Sequence, residues 1–437
     1  MEEEQHEVVI VGAGIAGLAT AVALKIVGLQ TLVLEKSPEL RATGAAIGLS
    51  SNAWRALDVL GVAHKLLPSC PTVPKTVVTD LPTGSIQAVP FTRSQRGDTA
   101  TRIVHRKDLL ETLAEELKPG TIRFSSKITS IDQDASSSVT AVHLDDGSVV
   151  KAKVLIGCDG VHSVVARWLG LSEPVHSGRS AVRGLAVFPE GHGLKNGAAQ
   201  YVIDDKRAGF APLNSNDLYW FITHPSTARG NSLSLSLSLS LSLSLSLSLS
   251  LSLSDSSRTH AEKEIQRDPE LILAEVTEKL AIDFPPEFQM VVRHVDLATL
   301  SWAPLVFRLP WDVLLGRIHK GCVTVAGDAM HPMTPDLAQG GCTALEDAIV
   351  LARNLAGARS RGQLAAGLES YVRERRWRAT WLIAASYLSG WVQQGGNAGV
   401  WRSSVEWFRR NIYYKFLHSR IFFAVHQYDC GDLLPAE

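Results

Sequence analysis

Long apolar runs are missing from this 437-residue sequence: nowhere do about eighteen consecutive apolar residues occur, which leaves no candidate for a membrane-spanning helix. Neither sign of charge dominates either. Forty-three basic residues stand against 44 acidic ones, for a formal net charge of -1, which argues against nucleic acid or any bulk electrostatic partner and for a small molecule. Cysteine is scarce. The five present (Cys70, Cys158, Cys322, Cys342, Cys430) are odd in number, widely spaced and free of any C-x-x-C pair, which excludes a disulfide framework or a zinc site and fits a reducing compartment. The opening MEEEQHEVVI has no charged-then-apolar leader pattern, so the expected location is cytoplasmic.

What is present is organised around residues 8–35, VVIVGAGIAGLATAVALKIVGLQTLVLE. An apolar strand, a glycine turn, a helical run ending near Gly28, a second apolar strand and a terminal acid follow one another, with Gly12, Gly14 and Gly17 at G-x-G-x-x-G spacing and Glu35 closing the unit. Each glycine has a separate task. Gly12 permits the tight turn, Gly14 removes a side chain that would block a pyrophosphate from the helix N-terminus, and Gly17 allows helix and strand to pack closely. Glu35 is the expected acceptor for a ribose hydroxyl. The unit predicts a dinucleotide without saying which one.

Two further motifs have the same strand-then-turn form. Residues 154–157 read as a buried strand running into Cys158, Asp159 and Gly160, with Ser163 as the expected cap of a helix ending at Gly170. Residues 322–326 read as a strand running into Gly327 and Asp328, then the loop AMHPMTPDLAQGG, then a helix with Thr343 and Glu346 at capping-box spacing. Gly340 and Gly341 precede that helix, so exposed amides and the positive end of its dipole can approach negative charge. Arg106, just before a helix that buries Leu109, Leu110, Leu113 and Leu117, is a candidate phosphate partner.

Between these motifs the composition changes. Residues 70–99 read as hairpin strands, and residues 122–150 as strands with a turn at Asp145 to Gly147. From Arg179 to about Leu300 the chain is β-rich, with expected strands at 181–188, 199–203, 209–212 and 218–223; residues 268–280 read as helix and 293–307 as further strand. Tyr201, His224 and Arg183 lie in this segment and read as structural residues, as does His331, expected to fix its loop.

Residues 232–254 are an unbroken Ser-Leu alternation with eleven leucines, the pattern that a CT dinucleotide repeat encodes. As a strand it would run roughly 75 Å at about 3.3 Å per residue, and as a helix it would have leucines all round, so it is expected to be a disordered insertion. The segment 401–423, WRSSVEWFRRNIYYKFLHSRIFF, is basic and aromatic; it reads either as a packed helix or as an interfacial helix making weak peripheral membrane contact.

Taken in order, VVIVGAGIAGLATAVAL, VLIGCDGVHSVVARWLG and VTVAGDAMHPMTPDLAQGGCTALEDA resemble the single-component FAD-dependent aromatic hydroxylases of the para-hydroxybenzoate hydroxylase type. Within that family, HRKDLLETL, SAVRGLAVFPEGHGL and the ending YDCG are similar to plant monooxygenases resembling salicylate hydroxylase and zeaxanthin epoxidase. The resemblance implies an α/β fold: an FAD-binding Rossmann-like domain of the glutathione reductase type, an inserted β-sheet substrate domain, and a C-terminal helical region. It places the discontinuous FAD-binding domain at 1–75, 101–180 and 308–360, the substrate domain at 76–100 and 181–307 with the tract 232–254 inside it, and the helical region at 361–437.

By the same resemblance, Gly12, Gly14, Gly17 and Glu35 hold the ADP half of FAD together with Arg106, Asp159 and Gly160 serve both FAD and NAD(P)H, and Asp328 holds the ribityl chain. Lys36, Arg41, Ala46, Gly327, Pro335, Gly340 and Gly341 complete the implied cofactor contacts. The implied reaction is reduction of FAD by NAD(P)H, addition of O2 at flavin C4a as a hydroperoxide, and oxygen transfer to a small phenolic substrate. No catalytic base is identifiable, and the oligomeric state is open. The alternatives are an isoprenoid epoxidase of the same family and a non-catalytic flavin-binding protein. One departure from the family pattern is Ala338, where glycine is common, in the loop expected beneath the flavin ring.

Overall fold

The computed structural model describes residues 4–40, 45–90, 101–133, 139–194, 197–226, 265–358, 360–394 and 402–435. Arg41, the Ser-Leu tract 232–254 and the stretch 91–100 lie outside the described residues. In chain order, β1 (Glu4–Val11), β2 (Thr31–Leu34), β3 (Ala46–Leu49), β4 (Lys75–Asp80), β5 (Ser85–Pro90) and β6 (Arg102–His105) come first. Next are β7 (Ile122–Arg123), β8 (Ile128–Asp132), β9 (Thr140–Leu144), β10 (Val149–Gly157) and β11 (Val175–Val187). The last are β12 (Ala198–Ile203), β13 (Lys206–Pro212), β14 (Asp217–Pro225), β15 (Ser301–Phe307), β16 (His319–Lys320) and β17 (Val323–Val325).

An eight-stranded sheet runs β16-β17-β10-β1-β2-β7, with β9 and β8 folded onto β10. Its centre, β17, β10, β1, β2 and β7, is parallel. Parallel strands covered on both faces must be apolar throughout, and Val8, Val9, Ile10, Val154, Leu155, Ile156, Val323 and Val325 are all buried. The helix Ile15–Ile26 packs against the helix Gly340–Leu355 beside this sheet.

A second sheet has the order β15-β11-β14-β13-β12-β4-β5 and is antiparallel except where β12 meets β4. One face buries Val182, Phe210, Trp220 and Ile222 with Phe284, Phe288, Val291 and Val292 of the following helical segment. The boundary expected at residue 180 falls inside β11. Residues 293–300, expected as strand, differ: Pro286–Arg293 is helix, because Phe288, Val291 and Val292 repeat at helical spacing over the sheet, and strand resumes only at Ser301.

The 33-residue helix Arg361–Gln393 opens with a capping box between Ser360 and Gln363 and carries its far end to the second sheet. After it, the helical turns Arg402–Phe408, Arg409–Leu417 and His418–His426 pack rather than float. Arg409 Nη2 donates to Asp80 of β4 at 2.9 Å, and Tyr413 and Tyr414 are buried. Trp407 and Phe416 remain exposed. Among the described residues no helix is long and apolar enough to cross a membrane.

Candidate functional site

The three sequence motifs occupy one edge of the first sheet, at the carboxyl ends of its neighbouring parallel strands β1, β10 and β17, where an open α/β sheet holds its ligand. Their glycines differ in what confines them. At Gly12 the backbone has φ +97°, and a Cβ would lie 2.7 Å from the carbonyl oxygen of Cys158; at Gly17 it would lie 1.9 Å from the carbonyl of Gly12. Gly327, φ +59°, would press on Ala16 at 2.7 Å. These three allow the motifs to touch one another. Gly14 is different: nothing stands within 4 Å of its missing side chain, and it opens into a cavity of about 430 Å³.

Gly14, Ala46, Arg106, Gly160, Asp328, Pro335, Gly340 and Gly341 all line that cavity. Gly12, Gly17 and Gly327 stand behind it as packing residues. Glu35 also stands behind it, at the end of β2, where Oε2 accepts the Ala13 amide at 2.7 Å and Oε1 the Ser37 amide at 2.9 Å. The acid expected to meet a ribose is thereby locked to the glycine turn itself. Asp159 accepts from the Ser163 hydroxyl at 2.5 Å and the Val164 amide at 2.7 Å, so it orders the start of the helix Val164–Trp168; burial raises its carboxyl above the usual range despite these bonds. Lys36 is exposed.

The capping box expected at Thr343 and Glu346 does not form. The helix begins three residues earlier, at Gly340, with Gln339 as an N-cap whose side chain makes no capping bond. Thr343 and Glu346 are therefore interior residues, and the first amides of the helix meet the cavity uncapped. Such an N-terminus, with Gly14 clear in front of another, fits a ligand carrying negative charge at separated points, as a dinucleotide does.

Freed from capping, Glu346 joins a buried ionic network that sequence reasoning missed. Its carboxylate accepts from Asn52 at 2.6 Å, Arg375 at 2.7 Å and Arg378 at 2.6 and 2.7 Å. Asp347 accepts from Arg375 at 2.7 Å and from the Gly327 amide at 2.9 Å, and lies 2.6 Å from His331 Nε2. Burial pushes the Asp347 carboxyl up, but His331 and Arg375 outweigh it and hold it at about 2. The network thus ties the loop after β17 and the Gly340 helix to the long C-terminal helix; His331 fixes the loop, as its place beside Pro332 suggested.

At the loop's tip, Ala338 has φ +53° and ψ 34°, a left-handed conformation that costs an alanine about 1–2 kcal/mol. It lines the cavity, and Gly48 of β3 passes with room for a Cβ 3.8 Å from its methyl group.

The cavity's far wall is the second face of the seven-stranded sheet. Side-chain alternation sends Arg183 of β11, Arg207 of β13 and Tyr219, Phe221 and Thr223 of β14 toward it. Tyr201 and His224, grouped with Arg183 in the sequence, part from it here. Tyr201 lies on the opposite face, its hydroxyl 3.1 Å from Glu287, and His224 packs edge-on against Trp302. Asp336, with a fully buried side chain, receives Arg179 at 2.8 and 3.1 Å and Arg207 at 3.1 Å. Burial raises its carboxyl, and the two guanidiniums more than reverse this. From the end of the long helix, Gln393 accepts from Arg207 at 2.5 Å and Gln394 from Arg179 at 2.9 Å. The alternation of Arg179, Ala181 and Arg183 was the available sequence signal for this wall.

All five cysteines are buried and free. Among the described residues no cluster of His, Cys, Asp or Glu could hold a metal ion.

Comparison with known proteins agrees with this architecture. The FAD binding domain family model matches residues 5–234 and 310–386. Monooxygenase 2 of Arabidopsis thaliana is 38% identical over 452 residues, covering 100% of both chains, and Monooxygenase 1 of the same plant is 36% identical over 398 residues, covering 89% of this chain and 90% of the relative. The solved structure of Klebsiella pneumoniae HpxO complexed with FAD and uric acid has the same fold, with a TM-score of 0.74 at 22% identity over 96% of each chain. With the family model covering well over half of its length, this chain belongs to the FAD binding domain family of flavin-dependent monooxygenases.

Proposed function

We propose that the protein uses NAD(P)H and O2 to hydroxylate a small aromatic, phenolic substrate. The observation that carries this reading is the continuity of the cavity: the glycine turn and the Gly340 helix line one end, and Arg183, Arg207 and Tyr219 line the other. Cofactor and substrate therefore share one enclosure. FAD, when bound, supplies electron transfer and oxygen activation.

The chain's own residues do the rest. Uncapped amides at Gly340 and Gly341 favour negative charge placed against them, and the Glu346–Arg375–Asp347 network holds that helix in place. Val73, Ile103 and Phe221 exclude water from the space between the two ends. The Tyr219 hydroxyl sits beside Arg183 and Arg207, positioned to accept or donate a hydrogen bond at a substrate hydroxyl.

Support comes from the names of the plant relatives and from the uric acid, a small planar heteroaromatic, bound in HpxO. The guanidinium-rich wall disfavours an isoprenoid epoxidase, whose substrate needs a long apolar channel. The test is NADH and NADPH oxidation by the FAD-loaded protein with and without a panel of phenols; a phenol-stimulated rate is expected, and a flavin-loaded protein that oxidises neither nucleotide under any phenol would reduce it to a flavin-binding protein. A weak peripheral membrane contact would use the exposed Trp407 and Phe416 and predicts co-sedimentation with anionic liposomes; its failure removes that contact.

A further inference from the structure

The motif YDCG, Tyr428 to Gly431, contributes none of the described residues that line the cavity, yet each of its four residues is fixed in place. The Asp429 carboxylate accepts the Gly431 amide at 2.9 Å and closes a turn, which Gly431 completes with φ +77°. Cys430 is buried in the same core as the first sheet. The turn presents the Tyr428 ring to two guanidiniums at once, its centroid 5.0 Å from the guanidinium carbon of Arg375 and 4.2 Å from that of Arg378. The Tyr428 hydroxyl donates to Glu374 at 3.1 Å, and the same carboxylate takes Arg353 at 2.6 and 2.7 Å.

Arg375 and Arg378 are the cations that hold Glu346 and Asp347, about two turns along the helix that starts at Gly340. The backbone leading into the motif reaches that helix by a second route. Arg55 donates to the carbonyls of His426, Gln427 and Tyr428 at 2.8, 3.1 and 3.1 Å, and Ser51 donates to that of His426 at 2.8 Å. Both belong to the helix Ser51–Val59 with Asn52, which donates to the N-cap Gln339 at 3.0 Å and to Glu346 at 2.6 Å. The two routes converge on the amides that meet the cavity. Ion pairs weaken several-fold as water raises the effective dielectric. Arg375 is fully buried, the Arg378 side chain is 11% exposed and Tyr428 is half-buried, so the ring stands between this network and solvent.

We infer that Tyr428 is a positioning residue for the cofactor: its ring, seated on Arg375 and Arg378, holds the start of the Gly340 helix in the geometry that FAD meets. The inference rests on the FAD-binding family and not on the proposed hydroxylation or its substrate. Tyr428 touches no cavity atom and acts through the two arginines.

Fluorescence titration of the flavin-free full chain with FAD, together with hydrogen–deuterium exchange of peptides spanning residues 336–346, tests this. Cation–π contacts correspond to a roughly three- to thirtyfold change in an equilibrium constant. A loosened helix start has to be re-ordered when FAD binds, so Tyr428→Ala should raise the FAD Kd by that factor and speed exchange over 336–346. Tyr428→Phe keeps the ring, loses only the bond to Glu374, and should bind FAD within twofold of the parent. Tyr428→Leu keeps bulk without an aromatic face and should behave like Tyr428→Ala, and it carries the test if the alanine variant does not fold. A folded leucine or alanine variant with a lower Tm but parental FAD Kd and exchange would overturn the inference. So would an equal loss of FAD affinity in Tyr428→Phe, or failure of both the alanine and leucine variants to fold, which would leave the ring a purely structural part.

Discussion

Replacing Gly14 with alanine separates the fold from the cofactor. Gly14 has φ -80° and ψ -174°, values that alanine adopts freely, and no atom lies within 4 Å of the added carbon. Alanine is a poorer N-cap, so the expected cost to stability is at most about 1 kcal/mol, or a fall of a few degrees in Tm for a chain this long. The methyl group, however, would project into the cavity at the N-terminus of the first helix, where the proposed reading puts the cofactor's pyrophosphate. Losing even one charged hydrogen bond there costs about 1.5–3 kcal/mol, which raises the FAD Kd by at least tenfold. Gly17→Ala is the control: its Cβ would lie 1.9 Å from the Gly12 carbonyl, so the whole unit should fail to form. Circular dichroism melting with flavin fluorescence titration reads both effects. A Gly14→Ala protein that binds FAD with a Kd within twofold of the parent, or that unfolds like Gly17→Ala, would refute the division between the two glycines.

Arg375→Met should be among the most damaging single changes away from the glycine turn, because it removes the one guanidinium shared by the buried carboxylates of Glu346 and Asp347; a loss of about 3–5 kcal/mol in urea unfolding is expected, and a loss below 1 kcal/mol would show that Arg378 and His331 suffice. Ala338→Gly relieves a left-handed alanine at a small entropic cost and should raise stability by up to about 1 kcal/mol; clear destabilisation would mean that the methyl group packs usefully. His426 is buried, and burial, with Arg378 as the next cause, lowers its folded pKa to about 3. The unfolded chain then binds the extra proton below about pH 6.5, so stability should fall by about 1.4 kcal/mol per pH unit from this residue as pH drops from about 6 toward 4, and His426→Gln should flatten that slope. An unchanged slope would exclude the assignment.

The centre of the first sheet was legible because β1 and the ends of β10 and β17 are covered on both faces and read as largely apolar runs, and because the turn and helix after β1 carry two glycines that nothing larger replaces, Gly12 from its conformation and Gly17 from contact. The helix at Gly340 was legible in existence but not in its start, because Thr343 and Glu346 match a capping box by spacing alone; the partners that claim Glu346, Asn52 and Arg375, are remote in sequence. The same limit hid the far wall of the cavity. Asp336 meets Arg179 and Arg207 only after the loop following β17 folds against the second sheet, and nothing local distinguishes Arg183 from its paired neighbours. The segment after residue 401 had two readings by composition, and its packed state rests on Asp80, a residue of β4.

Whether one enclosure brings flavin chemistry to a small phenol is tested most directly by the ratio of hydroxylated product to NAD(P)H oxidised, measured with a panel of phenols while hydrogen peroxide is monitored. A ratio approaching one for at least one phenol, with little peroxide, is the expected result. Oxidation of NAD(P)H that is indifferent to every phenol, with all consumed oxygen recovered as peroxide, would contradict it.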